Sequence, residues 1–129
     1  MLKNHSLNHK SLRLTKSECI KTLRAALDDE IYTPDALLAI LANNRDMRLR
    51  FAVASNQITS DTLLRKLAND EDGDVRAAVA ENPNTPVALL EEFAEDEAPA
   101  VRAAVIKRAK ELADTDFAAY VTAIAKSYD

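Results

Sequence analysis

The sequence predicts an all-α fold in which about four similar helix pairs stack into a solenoid, with a capping helix at the C-terminal end. Three observations support this fold class. A five-residue pattern recurs at a fixed interval, and each copy is followed by a second apolar segment. The composition of the 129 residues, with one Gly, four Pro and no Trp, also suits helices joined by short turns. Repeats of this kind bury their apolar faces by stacking on one another.

The recurring pattern is an apolar residue, Arg, a variable residue, Ala and a second apolar residue. It begins at Leu23, Leu49, Val75 and Val101, and each start lies 26 residues after the one before. Its apolar residues fall on one face of a helix. We therefore expect a repeat domain over 17–129, divided into the repeats 23–48, 49–74 and 75–100 and a capping repeat 101–129.

A second helix is expected in each repeat, after a polar turn that ends in Thr. Thr33, Thr59 and Thr85 are predicted N-caps, so that the second helices begin near residues 34, 60 and 86. Apolar side chains at i, i+1 and i+4 then form one buried stripe per helix. These stripes are Leu37, Leu38 and Leu41; Leu63, Leu64 and Leu67; and Leu89, Leu90 and Phe93.

One column of the repeat is always Arg, and a polar residue lies six positions before it. We expect each Arg to bridge the intervening turn by donating to that residue and to free backbone carbonyls, which would make a structural ladder. Alternatively, four evenly spaced Arg could line a groove for phosphate or carboxylate ligands. The ladder consists of Arg24, Arg50, Arg76 and Arg102 with Glu18, Asn44, Asp70 and Asp96.

Residues 75–86 read VRAAVAENPNTP and are followed by Leu89, Leu90 and Asp96. They resemble the leucine-rich repeat variant family, which is similar to HEAT-type repeats. The resemblance covers about residues 18–105 and implies a right-handed superhelix of short helix pairs. A founding type of that family carries a cysteine cluster for an iron–sulfur centre. Because Cys19 is the single cysteine here, we expect no such cofactor.

The two ends of the chain depart from the repeat. Residues 1–16 are predicted to be a flexible basic arm, and its His5 and His9 have no third ligand nearby, so we expect no metal site. In repeat four, residues 106–112 are expected to continue the first helix. A capping helix is expected to start at Thr115 and to close the core with Phe117, Tyr120, Val121 and Ile124.

Two irregular stretches are candidate partner-binding surfaces. Ala39 and Ile40 replace charged residues at positions that should face solvent, and the arm, a second copy of the chain or another protein could cover them. The second stretch holds Arg45, Arg48 and Phe51, where Arg and an aromatic residue cluster as they do in interface hot spots. Phe51 could instead fill a gap in the core.

Charge and motifs separate three classes of function. Residues 1–27 hold six Lys or Arg against Glu18, whereas residues 70–97 hold ten acids against Arg76. A basic arm together with the group Arg45, Arg48, Arg50, Arg65 and Lys66 could bind nucleic acid, but the acidic third repeat interrupts a continuous basic track. We find no nucleophile with a base fixed beside it, as ordinary catalysis requires. The sequence therefore predicts a cytoplasmic, non-catalytic protein-binding scaffold, without a membrane-spanning segment.

Overall fold

The computed structural model describes residues 15–28 and 34–128. Within these ranges the secondary structure is α-helical and contains no β-strand, so the all-α prediction is confirmed for this part of the chain. Residues 1–14 of the predicted arm, with both histidines, and Thr33 lie outside the described residues. The helices are α1 Lys16–Asp28, α2 Pro34–Ala42, α3 Met47–Ala54, α4 Asp61–Leu67, α5 Gly73–Glu81, α6 Ala88–Ala94, α7 Pro99–Ala109 and α8 Thr115–Ser127.

The odd-numbered helices pack side by side in chain order, α1 on α3, α3 on α5 and α5 on α7. The even-numbered helices lie against them, with α2 contacting α4 and α6 contacting α8. Ala52, Ala78 and Ala104 occupy equivalent positions in α3, α5 and α7 and are buried. Because the distance between packed helices depends on the side chains at the contact, these alanines allow a close approach.

The core lies between the odd and even helices. The predicted stripes face it, since Leu38, Leu64 and Leu90 are at most 1% exposed. Val79 and Val105, from the recurring pattern of the odd helices, are fully buried beside them. Each such side chain contributes about 1.5–3 kcal/mol through its removal from water. None of the described helices is long and apolar enough to cross a membrane.

The N-cap role predicted for Thr59 and Thr85 is wrong. Both hydroxyls are buried and donate backwards, Thr59 to the carbonyl of Val53 and Thr85 to the carbonyl of Val79, each at 2.6 Å. These carbonyls lie near the end of the preceding helix, where intrahelical donors run out. Ser60 caps α4 instead, and no side chain caps α6. The second helices therefore begin at residues 61 and 88, one and two positions later than expected.

Buried asparagines hold the turns after α3 and α5. The side-chain oxygen of Asn56 accepts from the N–H of Ile58, and that of Asn82 accepts from the N–H of Asn84. The Asn82 amide also donates to the backbone carbonyls of Ala54 and Asn56, at 2.8 and 3.0 Å. These bonds join one turn to the equivalent turn 26 residues earlier, so the repeats are linked by polar contacts as well as by the core.

The capping helix starts where the sequence predicts. Asp114 caps α8 by accepting from the N–H of Phe117 at 3.0 Å, and the helix begins at Thr115. Val121 is fully buried, whereas Tyr120 is half exposed and lies outside the core stripe assigned to it. The continuous helix expected through 112 is wrong, because α7 ends at Ala109.

Candidate interaction surface

Three of the four arginines of the Arg column, Arg50, Arg76 and Arg102, lie in the first turns of α3, α5 and α7 and are largely buried. Arg76 illustrates the geometry. Its Nε and Nη2 donate to the two carboxylate oxygens of Asp96 at 2.9 and 3.0 Å, and its Nη1 donates to the backbone carbonyl of Asp70 at 2.7 Å. Only 12% of the Arg76 side chain and 13% of the Asp96 side chain are exposed.

Arg50 repeats this arrangement one repeat earlier. Its Nε and Nη2 donate to Asp70 at 2.8 and 3.2 Å, and its Nη1 donates to the carbonyls of Asn44 and Arg45. The expected contact with the residue six positions before the Arg is therefore made through the backbone. The carboxylate that accepts from the guanidinium fork, Nε and Nη2, belongs instead to Asp70, which lies 20 positions after Arg50.

The contacts form one continuous line through three helices. The Asp70 carboxylate accepts from Arg50 while its carbonyl accepts from Arg76. The Asp96 carboxylate accepts from Arg76 while its carbonyl accepts from Arg102 at 2.8 Å. Each Asp thus connects two successive repeats, and the forks of Arg50 and Arg76 are already directed at carboxylates.

These contacts affect proton binding by Asp96. Burial alone would raise the pKa of the carboxyl group, but hydrogen bonds from Arg76 and from the N–H of Ala98 favour its charged form, as do the charges of Arg76 and Arg102. The net result is a lowered pKa. Hydrogen bonding to Asp70 likewise raises the pKa of Arg50.

The line changes at both ends of the repeat array. The carboxylate position 20 residues after Arg24 holds Asn44, and the same position after Arg102 holds Thr122. The Arg24 side chain is exposed, and Glu18 accepts from the hydroxyl of Thr15 instead of from Arg24. At the other end the guanidinium of Arg102 lies 5.6 Å from the centre of the Tyr128 ring.

The predicted partner-binding residues Arg45 and Arg48 lie at the start of α3. The Arg45 side chain is exposed, whereas the Arg48 fork is held by the carboxylate of Asp46, with Nη2 2.7 Å from Oδ2 and Nε 3.0 Å from Oδ1. Hydrogen bonding from Arg48 lowers the pKa of Asp46. Asp46 also caps α3 by accepting from the N–H of Arg48, so this guanidinium has a fixed position.

Phe51 lies in a groove across α1, α3 and α5. The groove has a volume of about 310 Å³, and its lining includes Ile20, Ala78 and Pro83. The Lys16 ammonium lies 4.7 Å from the centre of the Phe51 ring and also pairs with Asp74 at 2.7 Å. Phe51 is half-buried, so the ring contributes to packing and also reaches the surface.

Ala39 and Ile40 lie elsewhere, on α2. Ala39 is half-buried, whereas Ile40 is 61% exposed and is the most exposed large hydrophobic side chain among the described residues. Ala39 and Ile40 thus lie on a different helix from Arg48 and Phe51, which belong to α3.

Sequence reasoning assigned Tyr120 to the core and missed the polar contacts that the tyrosines at positions 120 and 128 make. Tyr120 and Tyr128 are each half exposed, and their hydroxyls donate to Glu91 at 3.2 Å and to Glu95 at 3.3 Å. Both bonds join α8 to the acidic surface of α6. A tyrosine hydroxyl needs a polar partner, so a Tyr in a helix otherwise rich in alanine indicates a position at the edge of the core.

A second groove, of about 450 Å³, separates the end of α7 from α8. Alanines line it, and the exposed Lys110 and Lys126 lie at its edge. Cys19 lies elsewhere and is 1% exposed. Burial raises the pKa of its thiol. The described residues contain no group of three or more His, Cys, Asp or Glu placed to hold a metal ion.

Comparison with known proteins gives one match. Residues 73–98 match the leucine rich repeat variant family. No curated protein and no solved structure matches the chain. The matched segment starts with α5, contains α6 and ends beside the carboxylate that receives the Arg76 fork. Residues 73–98 therefore form a leucine rich repeat variant repeat, as the sequence predicts for this part of the chain.

Proposed function

We propose that this chain is a non-catalytic scaffold that binds another protein, built as a right-handed solenoid of four 26-residue repeats. The observation that carries the proposal is the continuous line of Arg and Asp contacts through α3, α5 and α7. A contact that recurs in each repeat stabilises the array. Its residues hold the fold together and are therefore not available to bind a partner. The scaffold's function therefore depends on residues outside this line.

The surface at the start of α3 is the proposed binding site. Arg45 is exposed, Arg48 is held in one orientation by Asp46, and Phe51 lines an adjacent groove. A fixed guanidinium loses less conformational freedom on binding than a mobile one. Arg and aromatic side chains are common at the centres of protein interfaces.

A protein partner fits this surface better than nucleic acid does. Arg48 and Arg50 each pair with a largely buried carboxylate of the same chain, which reduces what they can contribute to phosphate binding. Of the other basic residues of the nucleic-acid hypothesis, Lys3, Lys10 and Arg13 lie outside the described part of the chain, whereas Arg45 and Lys66 are exposed. The cytoplasmic location expected from the sequence stays a prediction.

Capture from a native lysate, with and without nuclease, tests this function. We expect the immobilised protein to retain a protein partner that resists nuclease treatment. Arg45→Glu should weaken retention by about tenfold or more, because hot-spot residues contribute at least 1–2 kcal/mol. Its side chain is exposed, so its thermal unfolding should match that of the unmodified protein.

Lys110→Glu is the matched control, because it makes the same change of charge at an exposed position on α7–α8. It should leave retention unchanged. Retained material that disappears after nuclease treatment would instead support the nucleic-acid hypothesis. Equal loss of retention with both variants would contradict the assignment of the site to α3.

A further inference from the structure

Two equivalent positions on each of the second helices carry different chemistry in each repeat. The first repeat presents Ala39 and Ile40 on α2, the second presents Arg65 and Lys66 on α4, and the third presents Glu91 and Glu92 on α6. The two positions differ by 26 from one repeat to the next. All four charged side chains are exposed, as is Ile40. We call these positions the second-helix face.

The capping repeat extends this face with an aromatic ring. Tyr120 of α8 donates to Glu91, and half of its surface is open to solvent. The helices α4 and α6 both contact α5, α2 contacts α4, and α6 contacts α8. In the proposed solenoid the face therefore presents four kinds of surface in order. These are an apolar residue, a basic pair, an acidic pair and an aromatic ring.

This order is complementary to itself under a two-fold rotation. If the axis passes between α4 and α6, the basic pair of one copy faces the acidic pair of the other, and Ile40 faces Tyr120. Self-complementarity of one patch is what the interface of a two-fold dimer requires. We propose that a second copy of this chain, antiparallel to the first, occupies the second-helix face. The inference rests on the proposed solenoid, which sets the order of the helices.

Most of the charges on this face lack a strong partner within the chain. Lys66 donates to the amide oxygen of Asn43, and Glu91 accepts from a tyrosine hydroxyl, so both partners are neutral. Arg65 pairs with Asp61 at 3.3 Å, but more than half of each side chain is exposed. Exposed pairs of this kind are weak and exchange readily. These groups can therefore pair across an interface, where each contact occurs twice by symmetry.

Sedimentation equilibrium of the purified chain tests the proposal. We expect a dimer at about 0.05 M salt, at protein concentrations up to about 1 mM, where even a millimolar Kd is detectable. Raising the salt to about 0.5 M should weaken the dimer, because screening shortens the range of the attraction. Arg65→Glu with Lys66→Glu makes the face acidic, and Glu91→Lys with Glu92→Lys makes it basic. Each double variant should be monomeric.

An equimolar mixture of the two double variants should form a heterodimer, because every facing pair is again opposite in charge. Lys110→Glu with Lys126→Glu changes the net charge as much as the acidic variant does, but on the α7–α8 groove, and should remain dimeric. A wild-type monomer under the low-salt conditions would overturn the proposal, as would a dimer that both double variants retain. Partner capture through Arg45 is a separate measurement, so either result leaves the proposed function open to its own test.

Discussion

Each contact between an Arg guanidinium and an Asp carboxylate is one rung of the Arg–Asp line. Breaking one rung should destabilise the protein far more than breaking a surface ion pair. Asp96→Ala leaves the Arg76 guanidinium with a backbone carbonyl as its remaining acceptor in the rung, although only 12% of the side chain is exposed. Removing one partner of a buried pair costs about 3–5 kcal/mol. Because both side chains keep some exposure, we expect about 3 kcal/mol. This corresponds to a loss of roughly 10 °C in Tm for a domain of this size.

A double-mutant cycle separates the pair from the effects of each truncation. Arg76→Ala, Asp96→Ala and the double variant should give a coupling energy of about 1–3 kcal/mol from urea unfolding followed by circular dichroism. Arg76→Lys should recover only part of it, since an ammonium cannot donate in parallel to both carboxylate oxygens.

The pair Arg65–Asp61 is the control, because more than half of each side chain is exposed. Its coupling should be about 0.3–0.5 kcal/mol, as is usual for exposed pairs four residues apart on a helix. If the Arg76–Asp96 coupling were no larger than this, the rung would be an ordinary surface pair. The structural explanation of the Arg column would then fail.

Three further outcomes follow from the contacts. The folded pKa of Asp96 is lowered, so its stabilisation is present above the unfolded value of about 3.9 and is lost as pH falls through the folded value. Asp96→Asn should therefore flatten the decline of the urea midpoint below about pH 4, whereas parallel pH profiles would contradict this linkage. Asn82→Ala should lower the free energy of unfolding by about 1–3 kcal/mol, because two backbone carbonyls lose a buried donor. The exposed Asn84→Ala should cost clearly less, and equal urea midpoints would count against the inter-turn bonds. Cys19 should react with a thiol reagent much more slowly in buffer than in urea, because burial raises its pKa and hides its sulfur. Equal rates would mean that α1 opens freely.

Phe51 shows which part of the candidate site the sequence reveals and which part depends on the tertiary structure. Its departure from the usual Ala of the repeat was visible in the sequence, as was the cluster of Arg beside it. Its position beneath Lys16 and beside Ala78 depends on the packing of three helices that are distant in the chain. No local pattern contains that arrangement, because it follows from how α1, α3 and α5 pack.

The sequence by itself determined the 26-residue register, the all-α class, the apolar stripes of the second helices and the start of the capping helix at Thr115. These are periodic or local properties, which the spacing of apolar residues and the caps encode directly. The tertiary structure decided which carboxylate each Arg meets. Positions six before and 20 after an Arg belong to the same column of a 26-residue repeat, so Asp70 and Asp96 are equally good partners for Arg76 by spacing alone. Only the stacking of one repeat on the next brings the carboxylate of Asp96 to the guanidinium of Arg76. Asp70 accepts from the same guanidinium through its backbone carbonyl.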